Sequence, residues 1–183
     1  MAKTDKKTVL SVLNIGVRLL VICLAVAAVV SLVNEVTKAR YAELQMEEQR
    51  YSMASIFGAT DIAVAELGDN VYQVRQGEDI LGYCVQVVTA GFGGDMTLMV
   101  GFGSDRSIAG VQILSHSETP GLGAKASDAA YLAQYQGKSG TLSLGEDIDA
   151  VSGATISSRA VLSGVTKAQE ILDSHLAAGG DAQ

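Results

Sequence analysis

The sequence predicts an α+β protein, with a single N-terminal transmembrane helix followed by an antiparallel sheet with flanking helices. Three observations predict it. From Thr8 to Asn34 the only charged residue is Arg18. Four runs rich in Val, Ile and Leu then follow one another between residues 71 and 115, separated by Gly, Asp and Ser clusters rather than by helices. Beyond them Val161, Val165, Ala168, Leu172 and Leu176 recur at three- and four-residue spacing, the apolar stripe of one helix.

The first element is the membrane span, placed at residues 9–33. Leu19 to Val33 is apolar apart from Ser31, but at 1.5 Å per residue it covers only about 22 Å of a hydrocarbon layer about 30 Å thick. Adding Val9 to Val17 gives sufficient length, and Arg18 must then reach the interface, pair, or contact a partner helix. A cleaved signal peptide shares the outline of lysines before an apolar core. At the end of the core the chain instead runs Ser31-Leu-Val-Asn-Glu-Val-Thr-Lys38, with no small-residue cleavage site. Lys3, Lys6, Lys7 and Arg18 all precede the core. The positive-inside rule therefore keeps residues 1–8 in the cytoplasm and sends the chain after about residue 35 to the other side.

Residues 34–58 read as a stalk helix or linker that Gly58 ends, residues 59–178 as the folded domain, and 179–183 as a flexible tail. The expected strands are Val71–Arg75, Leu81–Ala90, Met96–Phe102 and Ile108–Ser115, with a hairpin turn at Gly91-Phe-Gly-Gly-Asp95. Residues 127–135 suggest a short helix and Ser157–Ala177 a longer one. Charge is segregated. The net is −7 over 183 residues, yet the first 40 hold six basic residues against Asp5 and Glu35 alone. An acidic body excludes nucleic acid as a partner. Cys23 and Cys84 fall in the span and in a strand, so they offer no disulfide and no clue to compartment.

Two segments carry chemistry. Asp149-Ala-Val-Ser152-Gly153-Ala154-Thr155 stands at the start of the last helix. A cap needs one hydroxyl, whereas Ser152, Thr155, Ser157 and Ser158 crowd this start. Gly153 and Ala154 leave room for a bulky group, and a helix N-terminus offers free N–H groups and positive potential to a phosphate. Plain capping and phosphate binding both remain open on residue types alone. The second segment, His116-Ser-Glu118-Thr119-Pro120-Gly121-Leu122-Gly123, follows a strand directly and holds the only proline. Its glycines permit a tight turn and close approach of a ligand. The plain reading is a surface loop.

Taken together, the two segments resemble a known family. The Asp149–Thr155 run resembles the flavinylation motif of FMN-binding domains in bacterial respiratory complexes, and Glu118–Gly123 is similar to the loop beside the flavin there. The resemblance implies FMN esterified through its phosphate to the Thr155 hydroxyl. A flavin transferase would make that bond and recognise Asp149. The implied FMN contacts are Ser152, Gly153, Ala154, Glu118, Thr119, Gly121, Leu122 and Gly123. Phe92 is the first choice for an aromatic against the flavin ring, with Tyr131 and Tyr135 behind it. The family includes the G component of the Rnf ferredoxin:NAD oxidoreductase and the longer C component of the sodium-pumping NADH:quinone reductase; the short chain favours the former. Electron relay within an ion-translocating complex of the inner (cytoplasmic) membrane is thus the expected role, with no independent catalysis. The implied partners are a second covalent-flavin subunit and iron–sulfur membrane subunits. A membrane-tethered FMN sensor or reductase is the alternative.

Other patterns are set aside. Gly121-Leu-Gly-Ala-Lys-Ala126 fits a dinucleotide fingerprint but lacks a suitably placed acidic residue, and the chain is short for a doubly wound sheet. Gly137-Lys-Ser139 resembles a P-loop end, yet Leu132 occupies the leading glycine position. His116 and Glu118 could offer two metal ligands, but with only His175 besides and no cysteine cluster no metal site is expected. No serine or cysteine stands in a nucleophile-elbow pattern.

Overall fold

The computed structural model describes residues 6–179, with side chains from Ile15 onward apart from 35, 36 and 38–45. The expectations for residues 1–5 and 180–183 lie outside the described residues. Two compact units divide near residue 47. In the first, helix α1 (Lys6–Phe57) begins and carries the apolar stretch. Ile15–Asn34 has 20 residues of mean hydropathy 2.6 and is fully exposed, long and apolar enough to cross a membrane. Arg18 lies within it and is also exposed.

The second unit runs from Glu48. Five antiparallel strands form a meander in the order β1-β2-β3-β4-β5. They are β1 (Ala63–Gly68), β2 (Val71–Gln76), β3 (Asp79–Ala90), β4 (Asp95–Gly103) and β5 (Ile108–Ser115). Alternation along β4 explains the layering. Leu98, Val100 and Phe102 face one side, while Met99 and Gly101 face the other. The first side packs against helix α3 (Thr155–Ala177) through Val161, Val165, Ala168 and Leu172, all at most 2% exposed. On the other side Met53, in the last turns of α1, packs with Val74, Cys84 and Met99. Gly101 permits that approach, since a Cβ there would run into Ile56. Arg50 and Ser52 add bonds to the Ile62 carbonyl and to Gln112, both 2.6 Å.

Between β5 and α3 the chain makes a 3-10 turn (Gly123–Ser127), the short helix α2 (Ala129–Leu132) and a further 3-10 turn (Ala133–Tyr135). This differs from the single short helix expected at 127–135. β1 was not foreseen. It is an edge strand, exposed along nearly its whole length, and its Ala-Val-Ala-Glu-Leu-Gly gives little β signal. The turn after it puts Asp69 and Asn70 at φ 53° and 60°. The antiparallel meander also removes the dinucleotide reading. The Gly137-Lys138 backbone pairs with Ile108, both bonds 2.8 Å, and so extends an edge rather than cradling phosphate.

Candidate functional site

β5 ends at Ser115, and the next eight residues cross to the start of α3. Val151 to Ala154 form a turn closed by a 2.9 Å bond from the Ala154 N–H to the Val151 carbonyl. Gly153 sits third in it with φ 79°, the position at which a type II turn demands a positive φ. The turn delivers Thr155 as the first residue of α3, exposed, with the small and buried Ala154 before it. α3 therefore starts two residues earlier than expected.

The hydroxyls do not cap. Ala154 holds the N-cap position and no side chain caps the helix. Ser158 instead accepts the Val151 N–H at 2.9 Å and donates to the Ala154 carbonyl at 3.1 Å, fastening the turn to the helix. Ser157 turns the other way and donates to Glu118 Oε2 at 2.8 Å. The first-turn N–H groups of Thr155, Ile156 and Ser157 thus keep no intrahelical acceptor. Of the two readings left open, plain capping by a hydroxyl is absent, because acceptors elsewhere hold two of the four hydroxyls.

Glu118 is the hub of the region. It is 6% exposed. Its Oε1 accepts the N–H of Phe92 at 2.7 Å and of Gly93 at 3.3 Å, while Oε2 takes the Ser157 bond. Burial raises its pKa, but the bonds from Ser157, Gly93 and Phe92, with the neighbouring His116, outweigh burial and hold the carboxyl below its ordinary value. One carboxylate thereby ties the Gly91–Gly94 turn to the first turn of α3. The packing is tight: a Cβ on Gly91 or Gly123 would run into a Glu118 oxygen. His116 accepts the Glu118 N–H on Nδ1 at 3.2 Å, with Nε2 3.4 Å from Ser127 Oγ. With the Glu118 oxygens so engaged, His116 and Glu118 do not form a metal pair, and no metal-holding cluster occurs among the described residues.

Around this clasp lies a cavity of about 400 Å³ lined by Phe92, Glu118, Thr119, Leu122, Gly123, Gly153, Ala154, Thr155, Ile156 and Ser157. That volume is in the range of small-molecule sites, about 300–1,000 Å³. Its apolar wall is partly open, with Phe92 69%, Leu122 53% and Ile156 53% exposed. Two glycine approaches, an unsatisfied helix start and an apolar wall fit a phosphate-bearing aromatic cofactor such as FMN. Phe92, Glu118, Thr119, Leu122, Gly123, Gly153, Ala154 and Thr155 are brought together here. Ser152, Gly121 and Asp149 do not line the cavity; Asp149 donates its N–H to Gln134 Oε1 at 2.8 Å and is exposed. Tyr131 and Tyr135 are corrected: both are core residues, edge to face at 6.0 Å, away from the cavity. Sequence reading missed Ile156 as a wall residue and Ser157 as the partner of Glu118. The only signal for them was their place in the first turn of a helix whose start was set too late.

A family model described as an FMN-binding domain matches residues 91–170. The chain is 33% identical over 175 residues to the G component of the ion-translocating oxidoreductase complex of Methanosarcina acetivorans, covering 87% of this chain and 92% of that protein. It is 30% identical over 168 residues to the G component of the proton-translocating ferredoxin:NAD+ oxidoreductase complex of Clostridium ljungdahlii, covering 87% and 91%. The G component of the Na+-translocating counterpart from Acetobacterium woodii is 30% identical over 189 residues, again covering 87% and 91%. Among solved structures, NqrC of Shewanella oneidensis aligns with a TM-score of 0.45 at 28% identity, over 55% of this chain and 53% of that one.

Proposed function

This chain belongs to the G-component family of ion-translocating oxidoreductase complexes, and from that premise we propose that it relays electrons through FMN esterified to Thr155. The observation that carries the reading is the placement of Thr155. The Asp149–Thr155 run sets that hydroxyl in the wall of the cavity, at the free N–H groups of the α3 N-terminus. A phosphodiester there keeps one negative charge, which the helix start favours by about 0.3–1 kcal/mol. Asp149, exposed on the approach to the turn, is available to the flavin transferase.

FMN supplies the redox chemistry when bound, and the protein attaches, shields and orients it. Phe92, Leu122 and Ile156 offer the apolar wall for the ring. Thr119 and Gly123 border the remainder, and Ser152 and Gly121 shape the turns behind it. The cavity argues for relay over stand-alone reduction of a substrate. Its one ionisable lining residue, Glu118, accepts three hydrogen bonds and is held as a carboxylate, so it supplies no proton.

The topology completes the reading. The N-terminus stays cytoplasmic, α1 anchors the chain in the inner membrane, and the flavin domain lies outside the cytoplasm, beside membrane subunits carrying a second covalent flavin and iron–sulfur centres. Arg18 snorkels or contacts one of their helices. Covalent attachment suits that side of the membrane. Occupancy of a dissociable site follows free ligand over Kd, and free FMN is scarce there, whereas an ester makes occupancy independent of it.

The test is a denaturing gel viewed under ultraviolet light, with intact-mass spectrometry, on protein made together with the transferase. The parent should fluoresce and carry one FMN, and Thr155→Ala should carry none. A bare parent polypeptide refutes the reading, and a label that persists in T155A moves the bond to another hydroxyl.

A further inference from the structure

We propose that Glu118 sets the reduction potential of the flavin, its carboxylate charge holding that potential low. The inference rests on the reading of Thr155 as the FMN carrier and deepens it. Among the ten residues lining the cavity, Glu118 alone is ionisable, and no lysine or arginine lines it. The charge is buried and cannot swing into solvent, because the Phe92, Gly93 and Ser157 donors fix both oxygens and Gly123 packs against one of them. Most of the fold's other charges are exposed, where water and salt screen them.

Reduction of FMN takes up two electrons and one proton and leaves the ring with one negative charge at neutral pH. A fixed anion within the same cavity disfavours that product relative to the neutral oxidised ring. A unit charge acting across a cavity of this size, at an effective dielectric constant of about 20, shifts such an equilibrium by about tenfold. For a two-electron couple that is about 30 mV. Glu118 also acts through position, since it holds the Phe92 turn against α3, and the two contributions separate experimentally.

Glu118→Gln is the separating variant. Its amide oxygen still accepts from Phe92 and Gly93, and its NH₂ group faces the Ser157 hydroxyl, which can accept as well as donate. The clasp survives and the charge goes. Ser157→Ala does the converse, loosening the clasp and keeping the charge. The full-length chain, made with the transferase and purified in detergent, is first weighed for FMN. It is then titrated spectroscopically with dithionite, which supplies the electrons and is oxidised to sulfite.

The expected result is one FMN on the parent and on E118Q, with the E118Q potential more positive by about 30 mV and S157A nearer the parent. Labelled E118Q with an unchanged or lower potential overturns the proposal and leaves the Thr155 reading standing. Equal shifts in E118Q and S157A overturn it in favour of geometry, and loss of labelling in E118Q overturns it in favour of a role in maturation. An unlabelled parent removes the proposal together with its premise.

Discussion

Ser157→Ala tests the clasp as a structural element. Ser157 is 1% exposed and donates 2.8 Å to a carboxylate oxygen that is itself buried. Glu118 Oε2 is left without its protein donor beside Gly123. A hydrogen bond to a charged group contributes about 1.5–3 kcal/mol, and the serine-to-alanine change leaves almost no cavity. The expected loss is therefore about 2 kcal/mol at pH 7, or a urea midpoint about 1 M lower for a denaturant slope of about 2 kcal/mol/M. The pH dependence carries a second check. The folded-state pKa of Glu118 lies below the ordinary 4.5. Its stabilising contribution is thus fully present above the unfolded-state value and is lost as pH falls through the lower folded-state one. The gap between parent and variant should be widest near neutrality and narrow below about pH 4.5. Urea unfolding followed by circular dichroism at pH 7 and at pH 3 measures both. A gap under about 0.5 kcal/mol at pH 7, or one that widens on acidification, refutes the assignment of Ser157 as the donor that holds a charged Glu118.

Thr155→Ala should abolish labelling while changing the stability of the unlabelled protein by less than about 0.5 kcal/mol, below the 1 kcal/mol of a lost cap, because Thr155 makes no cap bond; urea unfolding of transferase-free protein decides. Phe92→Ala removes a side chain that is 69% exposed, so stability should hold within about 0.5 kcal/mol. Iodide should quench the attached flavin more strongly in that variant, and unchanged quenching would detach Phe92 from the ring. Burial pushes the Cys84 thiol up to about 12, which disfavours the reactive thiolate at any physiological pH. Cys84 should stay unmodified by iodoacetamide at pH 8 in the folded protein and react after unfolding, as read by peptide mass spectrometry.

How far these features were legible in the sequence depends on what made each residue visible. Val161, Val165, Ala168 and Leu172 announced α3 because helical spacing survives in any reading of the chain. The other four strands announced themselves because they supply side chains to both core clusters, one shared with α3 and one with the end of α1, which leaves apolar runs. β1 gave no such signal, since an edge strand that packs only Leu67 against the core has little need of apolar alternation. The 127–135 region was blurred for a related reason. Its pieces are only three to five residues long, and Tyr131 and Tyr135 hold them to the core rather than any periodicity of their own.

The site divides along the same line. Thr155, Gly153 and the Glu118–Gly123 loop were found because their chemistry is local, written in consecutive residues. The Glu118–Ser157 bond joins positions 39 apart, and nothing in either segment names the other. Sequence reading counted Ser157 as one of four hydroxyls crowding the helix start and began the helix at it, which gave no reason to look for a buried partner. Once α3 begins at Thr155, Ser157 lies on its third residue, its side chain is free to turn toward the loop after β5, and capping passes to no hydroxyl at all. A shift of two residues in one helix boundary thus separates a cap from a buried charge clasp, and it is the clasp that forms one wall of the cavity beside Thr155.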